Sequence, residues 1–311
     1  MKKSKLLSSA ILLTAAMIWG FAFAAQNAMA DTVEPFTVNA VRSLIAFLAL
    51  IPVACVTRRK RGKKLLEKTP ADRKRLVKAS LICGMMLCIS VNLQQFGIAF
   101  YPDGAPVEAH SGFLTAMYIL FVPIFGLFLK KRPSLFVGIG VVIAIVGLYF
   151  LCLSEGFGAV YTGDIFCLIC GMTFAVQILC IDHFIVTVDP VKLSALQFAV
   201  VGVISSILML IFEHPTMDAI LNAWLPILYL ALMSSAVGYT LQIVGQKYAP
   251  NPTLASILMS MESVFAALGG IIFMGVIPKT AEFVGCLIML VAIIVAQLPD
   301  QWLRKEKKPS P

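Results

Sequence analysis

Apolar residues in this chain come in long unbroken runs, each close to 20 residues, separated by short polar or Pro/Gly-rich breaks. The runs lie at about 8–30, 36–56, 78–100, 108–129, 134–153, 163–183, 191–212, 222–244, 253–275 and 280–298. The breaks between them read DTVEP, RRKRGKKLLEKTPADRKR, YPDGAP, KKRP, SEGFGAVYTGD, DHFIVTVDP, EHPTMD, QKYAPNP and VIPKT. About 20 apolar residues suffice for one helix to cross the hydrocarbon of a bilayer. The pattern therefore predicts an all-α integral membrane protein with ten transmembrane helices.

Charge placement orients these helices. With the N-terminus inside, every one of the 25 Lys and Arg falls in an inner segment except Arg42, within a span, and Lys279, outside. Such a bias predicts that both termini are cytoplasmic, in a multi-pass protein of the plasma or inner membrane. Acids such as Asp31, Glu34, Asp103, Asp164, Glu213 and Asp218 fall on the outer side, where they read as solvated loop residues.

The chain also repeats itself. GFLTAMYILFVPIFGLF before KKRPSLFVG resembles LASILMSMESVFAALGG before VIPKTAEFVG, and IWGFAF of the first span is echoed by MTFAVQ of the sixth. Five spans per copy is an odd number, so the second copy enters the membrane from the opposite side. This predicts two inverted five-helix repeats, residues 1–153 and 154–298, followed by a basic cytoplasmic tail, 299–311. Secondary transporters use this symmetry and bind solute near the midplane between the halves.

Composition narrows the classes further. The 311 residues are 59% hydrophobic and 13% charged, with mean hydropathy +0.92, unlike a soluble domain. The net charge of +9 sits in short loops, so it orients spans rather than binding nucleic acid. The eight cysteines lie in or beside apolar runs and read as small apolar filler, the Cys167-x-x-Cys170 pair included. The basic, apolar, Ala-rich N-terminus imitates a signal peptide, but the run is long enough to read as an uncleaved first helix. HExxH, GxSxG, Walker A and GxGxxG motifs are absent, so the chain reads as neither an enzyme nor a nucleotide-driven pump, and no cofactor or metal is expected.

The residues that can carry chemistry are few. Glu262 is the one charge in Pro252–Pro278 and falls near mid-membrane, on a face shared with Ala255, Met259, Ala266 and Gly269. A carboxylate there is costly unless it faces protein or water, so it reads as a proton- or substrate-binding group, or as an acid held protonated by a polar neighbour. Trp19, deep in the first span beside the Ala16–Gly20–Ala24–Ala28 stripe, needs a partner for its indole N–H. Asn92 and Gln95 share one face of the third span, next to Gln94; Gln177 and Gln197 are lone amides. Ser235, Tyr239, Gln242 and Gln246 form a polar stripe in the eighth span, suited to a cavity wall or to gluing helices together. Arg42 can meet an anion, but snorkelling outward or pairing with Glu34 or Asp31 is the favoured reading. His110 opens the fourth span, Tyr118 lies two turns deeper, and Pro123 is expected to kink that helix.

Over residues 8–298 the chain resembles the EamA-type transporters of the drug/metabolite transporter superfamily. The likeness rests on AAMIWGFAF, PFTVNAVRSLIAFLALIP, NLQQFGIAF, HSGFLTAMYILFVPIFGLFLKKRP and QKYAPNPTLASILMSMESVFAALGG, taken in that order. The resemblance implies ten helices in inverted repeats around a central cavity, bordered mainly by spans 1, 3, 4, 6, 8 and 9, and transport of amino acids, other metabolites or drugs, often outward. It matches Trp19 to a Trp-Gly pair and Glu262 to the acid of a LEPVFAAL-like run. Three departures stand out: Ser263 in place of a Pro, implying a straighter ninth span; Asn27 in place of a frequent Lys; and His110 in place of a frequent Asn.

The expected function is thus secondary transport, with export the favoured direction, of small metabolites such as amino acids or drug-like compounds, by alternating access and with Glu262 as candidate proton carrier. The rival is an integral membrane enzyme acting on lipid-linked or small substrates. Candidate substrate contacts are Trp19, Gln94, Gln95, Tyr118, Gln177, Tyr239, Gln242 and Glu262; candidate gates are Arg42 and His110. The expected partners are a small solute and the lipid bilayer, with the chain acting as a monomer or homodimer.

Overall fold

In lipid no water is present to satisfy backbone N–H and C=O groups, so an apolar run of this length closes its hydrogen bonds within itself as a helix. The computed structural model describes residues 2–60, 69–102, 107–130, 133–152, 161–274, 280–296 and 298, and among them no strand occurs. The helices are α1 (Lys2–Asn27), α2 (Pro35–Lys60), α3 (Pro70–Ala99), α4 (Val107–Ala116), α5 (Tyr118–Phe128), α6 (Leu135–Cys152), α7 (Thr162–Phe184) and α8 (Pro190–Phe212). They continue as α9 (Met217–Asn222), α10 (Trp224–Tyr229), a π-helical segment (Leu230–Tyr239), α11 (Thr240–Tyr248), α12 (Pro252–Met259), α13 (Glu262–Met274) and α14 (Thr280–Ala296). Among the described residues seven stretches are long and apolar enough to cross a membrane, and three shorter apolar helices cover Leu135–Phe150, Pro252–Ala266 and Phe283–Ala296. The expected tail, 299–311, and the Lys279 turn lie outside the described residues.

Helix starts follow the local sequence. Proline opens α2, α3, α8 and α12, where its missing N–H costs nothing. Thr69 and Asp72 form a capping box at α3. The Asp189 carboxylate accepts from Val191 N and Lys192 N, and the Asn251 side chain accepts from Leu254 N at 2.7 Å.

Polarity runs opposite to that of a soluble globule. Leu48, Leu81, Val142, Leu210 and Ile294 are each more than half exposed on the outer sleeve, where hydrocarbon would solvate them, while Gln94, Gln95, Gln177, Gln197, Gln242 and Glu262 are buried. The main packings set α2 on α8, α3 on both α7 and α8, α6 on α14, and α1 on both α13 and α11. Glycines permit several close helix approaches, and Gly20 and Gly171 are two of them. A Cβ on Gly20 would lie 2.4 Å from Phe265 Cβ and 2.7 Å from the Glu262 carbonyl; one on Gly171 would lie 2.7 Å from the Leu114 carbonyl.

Two helices are interrupted. The ladder breaks at Met117, between α4 and α5, and again at Ser260 and Met261, between α12 and α13. Pro123 itself sits inside α5; its missing N–H leaves Ile119 O without a ladder partner, and the interruption falls upstream of that, at Met117. The ninth run is not the straighter helix that Ser263 implied. The hydroxyls of Ser256 and Ser260 donate back to Thr253 O and Ile257 O, at 2.8 and 2.9 Å, and such back-bonding bends a helix.

Asn92 serves as glue rather than as a cavity wall. Asn39 Nδ2 donates to its Oδ1 at 3.0 Å, and Asn92 Nδ2 donates to Ser205 Oγ at 3.1 Å, tying α2, α3 and α8 together. Glu213 departs from the expected solvated acid. It is buried, and its carboxylate accepts from Phe36 N (2.6 Å), Thr37 N (2.7 Å) and Thr37 Oγ1 (2.7 Å) at the start of α2. Glu34 reciprocates by accepting from His214 N at 3.1 Å. Asp164 is likewise engaged, accepting from the Tyr101 hydroxyl at 2.7 Å; burial, the largest cause, holds that phenol above its ordinary pKa.

Candidate functional site

A cavity of about 30 Å³ lies where α1, α2, α3, α7, α11, the π segment and both interrupted helices meet. Each interruption delivers one polar side chain to it. Tyr118 is the first residue of α5 and Glu262 the first residue of α13. Both are about 4% exposed, and they lie close enough for the phenol and the carboxylate to interact. Beyond this mutual contact, Tyr118 Oη and Glu262 Oε1 make no hydrogen bond of good geometry. An unsatisfied buried carboxylate oxygen is costly, and the cavity is where a ligand, water or proton could relieve that cost.

Tyr239 forms the opposite wall. Its ring packs on Trp19 at 4.8 Å, tilted by 54°, and edge-on against Phe198 at 5.5 Å. The Trp19 indole N–H finds its partner in the Ser234 carbonyl at 3.3 Å, within the π segment. That segment also alters the polar stripe read from the sequence. With i→i+5 bonding, the face drifts away from α-helical spacing. Ser234 therefore lines the cavity, while Ser235 is fully buried elsewhere with an unpartnered hydroxyl. Gln246 Nε2 donates to Ile178 O at 3.5 Å.

Of the candidate substrate contacts, Trp19, Gln94, Tyr118, Tyr239, Gln242 and Glu262 all line this one cavity. Gln177 and Gln95 do not. Gln177 stands one step behind, accepting from Gln242 Nε2 at 3.1 Å. Gln95 is fully buried and its amide has no partner. Gln94 faces the cavity and donates to Thr115 Oγ1 at 3.4 Å.

Arg42 corrects the outward reading. It is only 3% exposed and lines the cavity beside Tyr239, with its Nε unpartnered. Glu34, one of the two partners expected for it, accepts instead from the His214 backbone N–H. The His110 side chain, the other gate candidate, lies outside the described residues.

The structure adds wall residues that the sequence reading passed over: Phe23, Gln26, Thr115, Phe174 and Ser234. A signal for two of them was present. Phe23 follows Gly20 by three positions and Phe174 follows Gly171 by three, in IWGFAF and ICGMTF. A longer echo, NLQQFG followed by YP and TLQIVG followed by AP, equates Gln94 with Gln242.

Comparison with known proteins now bears on this geometry. A model of the EamA-like transporter family matches residues 6–153 and again residues 161–297. The chain belongs to the EamA-like transporter family. An uncharacterized transporter of Archaeoglobus fulgidus is 26% identical over 289 residues, covering 91% of this chain and 83% of that one. A protein of known crystal structure shares the fold, with TM-score 0.75, 18% identity, and coverage of 96% of this chain and 99% of the other. This EamA-like protein is accordingly a multi-pass membrane transporter, and family membership favours transport over enzymatic turnover.

Proposed function

We propose that this EamA-like transporter is a secondary transporter that exports small polar metabolites by alternating access, with Glu262 carrying a proton in exchange. Glu262 is the observation that carries the reading: a buried, incompletely satisfied carboxylate at a helix interruption inside the central cavity. Protonation removes its charge and so changes which packing of the surrounding helices is favoured. Tyr118, Tyr239 and Cys170 lie near it, and the cation Arg42 lines the same cavity.

The reading includes ten spans in two inverted halves, 1–153 and 154–298, with both termini inside the cell. The packing pattern supports it. α2 on α8 and α6 on α14 each join one half to the other, while α3 on α7 exchanges with α1 on α11, and α4–α5 on α7 with α12–α13 on α1. The family match over two successive segments supports it as well. Two similar halves meeting about a midplane site are the usual frame for alternating access.

The test is solute flux in proteoliposomes against a metabolite panel, with and without a pH gradient. Wild-type flux should respond to the gradient. Glu262→Gln keeps the shape and removes titration, so flux should fall by about tenfold or more and lose its pH dependence. Unchanged flux and pH dependence in that variant would overturn the coupling role.

A further inference from the structure

We infer that the basic end of α3 is a docking face for an anionic phospholipid, with the headgroup phosphate on Arg73, Lys74 and Lys78 and an acyl chain along Val77, Leu81 and Met85. A shallow groove of about 470 Å³ lies beside this end of the helix, lined by Arg73, Lys74, Val77, Lys78, Leu81 and Ile82. Lys74, Lys78, Leu81 and Met85 follow i, i+4, i+7 and i+11 spacing, so they fall in one stripe along the helix. All four are exposed, Leu81 by 54% and Met85 by 46%. The opposite face is spent on packing: Leu76, Ala79 and Cys83 are buried in a cluster with Ile181, Ile185 and Leu193.

Helix length sets the depth of these groups. α3 has 30 residues, so at 1.5 Å per residue it is about 45 Å long, against a hydrocarbon core of about 30 Å. Residues 79–99 carry no charge and are enough to cross that core. Arg73, Lys74 and Lys78 then stand at headgroup depth, with Leu81 and Met85 just inside the hydrocarbon. The capping box makes the charged turns part of the helix: the Asp72 carboxylate accepts from Thr69 N at 3.2 Å and from Thr69 Oγ1 at 2.8 Å. The cations are therefore presented in fixed register with the apolar stripe below them. Arg and Lys give a phosphate charge-assisted hydrogen bonds, and each cation near an anionic leaflet strengthens attachment by about fivefold. A soluble anion would meet only the cations. A lipid of no net charge would bring its own cation against them. An anionic phospholipid matches both the charged and the apolar part of the face.

The test uses the full-length protein purified in detergent, with dioleoyl phosphatidylglycerol and dioleoyl phosphatidylcholine as probes. Retention of each lipid is read by native mass spectrometry, and its effect by the shift in thermal unfolding midpoint. Wild type should retain phosphatidylglycerol over phosphatidylcholine by about tenfold or more. Arg73→Gln/Lys74→Gln/Lys78→Gln should bring the two lipids to parity. Lys130→Gln/Lys247→Gln, which removes charge just beyond α5 and in the last turn of α11, should keep the wild-type preference. Leu81→Asn leaves the cations in place and should weaken phosphatidylglycerol several-fold. Inorganic phosphate and glycerophosphoglycerol at the same concentration should leave the midpoint unmoved. The three cations and Leu81 are exposed, so folding should survive, and the lipid-free midpoint checks this. If the triple variant lowers that midpoint, the three single variants carry the test, each losing part of the preference. Equal retention of both lipids by wild type, an unchanged preference in the α3 variants, or an equal loss in Lys130→Gln/Lys247→Gln overturns the inference. So does a midpoint shift from inorganic phosphate that matches the lipid's.

Discussion

The two helix interruptions invite comparison because their backbones nearly coincide and their side chains do not. Met117, just before Tyr118, has φ −60° and ψ −9°. Ser260, two residues before Glu262, has φ −64° and ψ −10°. Each is overlain by a glycine of another helix, Gly171 against the Leu114 and Thr115 carbonyls and Gly20 against the Glu262 carbonyl. One backbone device thus serves both regions, but it presents a phenol in one and a carboxylate in the other. The scaffold is common to the two, and the difference in chemistry rests on one side chain at each break.

Breaking the shared scaffold should have the largest effect. Gly20→Ala and Gly171→Ala each place a methyl inside 3 Å of backbone on the facing helix. Each should lower the thermal unfolding midpoint in detergent, at a cost of about 1–3 kcal/mol. Gly138→Ala, where nothing lies within 4 Å, should be silent. If either cavity glycine tolerates alanine as well as Gly138 does, the close approach described here is wrong.

Next comes the contrast in chemistry. Tyr118→Phe removes only a hydroxyl, so flux should fall several-fold and keep its pH response, unlike Glu262→Gln. A flat pH profile in Tyr118→Phe would mean that the phenol and the acid carry the proton together.

The smallest effect tests an asymmetry between the starts of α2 and α8. The α2 start is held by Glu213, whereas the α8 start is capped locally by Asp189. Glu213→Ala should cost about 1–2 kcal/mol of stability and leave the pH response of flux unchanged. A change in that response would show that the contact at the α2 start reaches the cavity.

Much of the fold could be read without coordinates. Apolar run lengths located most helix ends to within a few residues, because lipid leaves a backbone few alternatives. However, α1 and α3 start at Lys2 and Pro70, ahead of their apolar runs, and two runs are each split into two helices. Glu262 and Tyr239 were legible as candidates because a polar side chain stands out in an apolar run. Arg42 was misread, since its depth along the helix permitted two directions and only neighbouring helices could choose between them. Ser235 was misread for another reason: a π segment forms through packing and leaves no α-helical period to follow. Gln94, Gln95 and Gln177 are equally polar in the sequence, yet only Gln94 of the three lines the cavity.

By itself, then, the order of residues determined that this chain is helical, that it belongs in a membrane, and which few polar groups must be accommodated inside. The solvent imposes those outcomes residue by residue. Tertiary packing decided which of those groups share one space and which are spent joining helices. That depends on the angles at two interruptions and on two glycines, and these take their meaning only from the helix pressed against them.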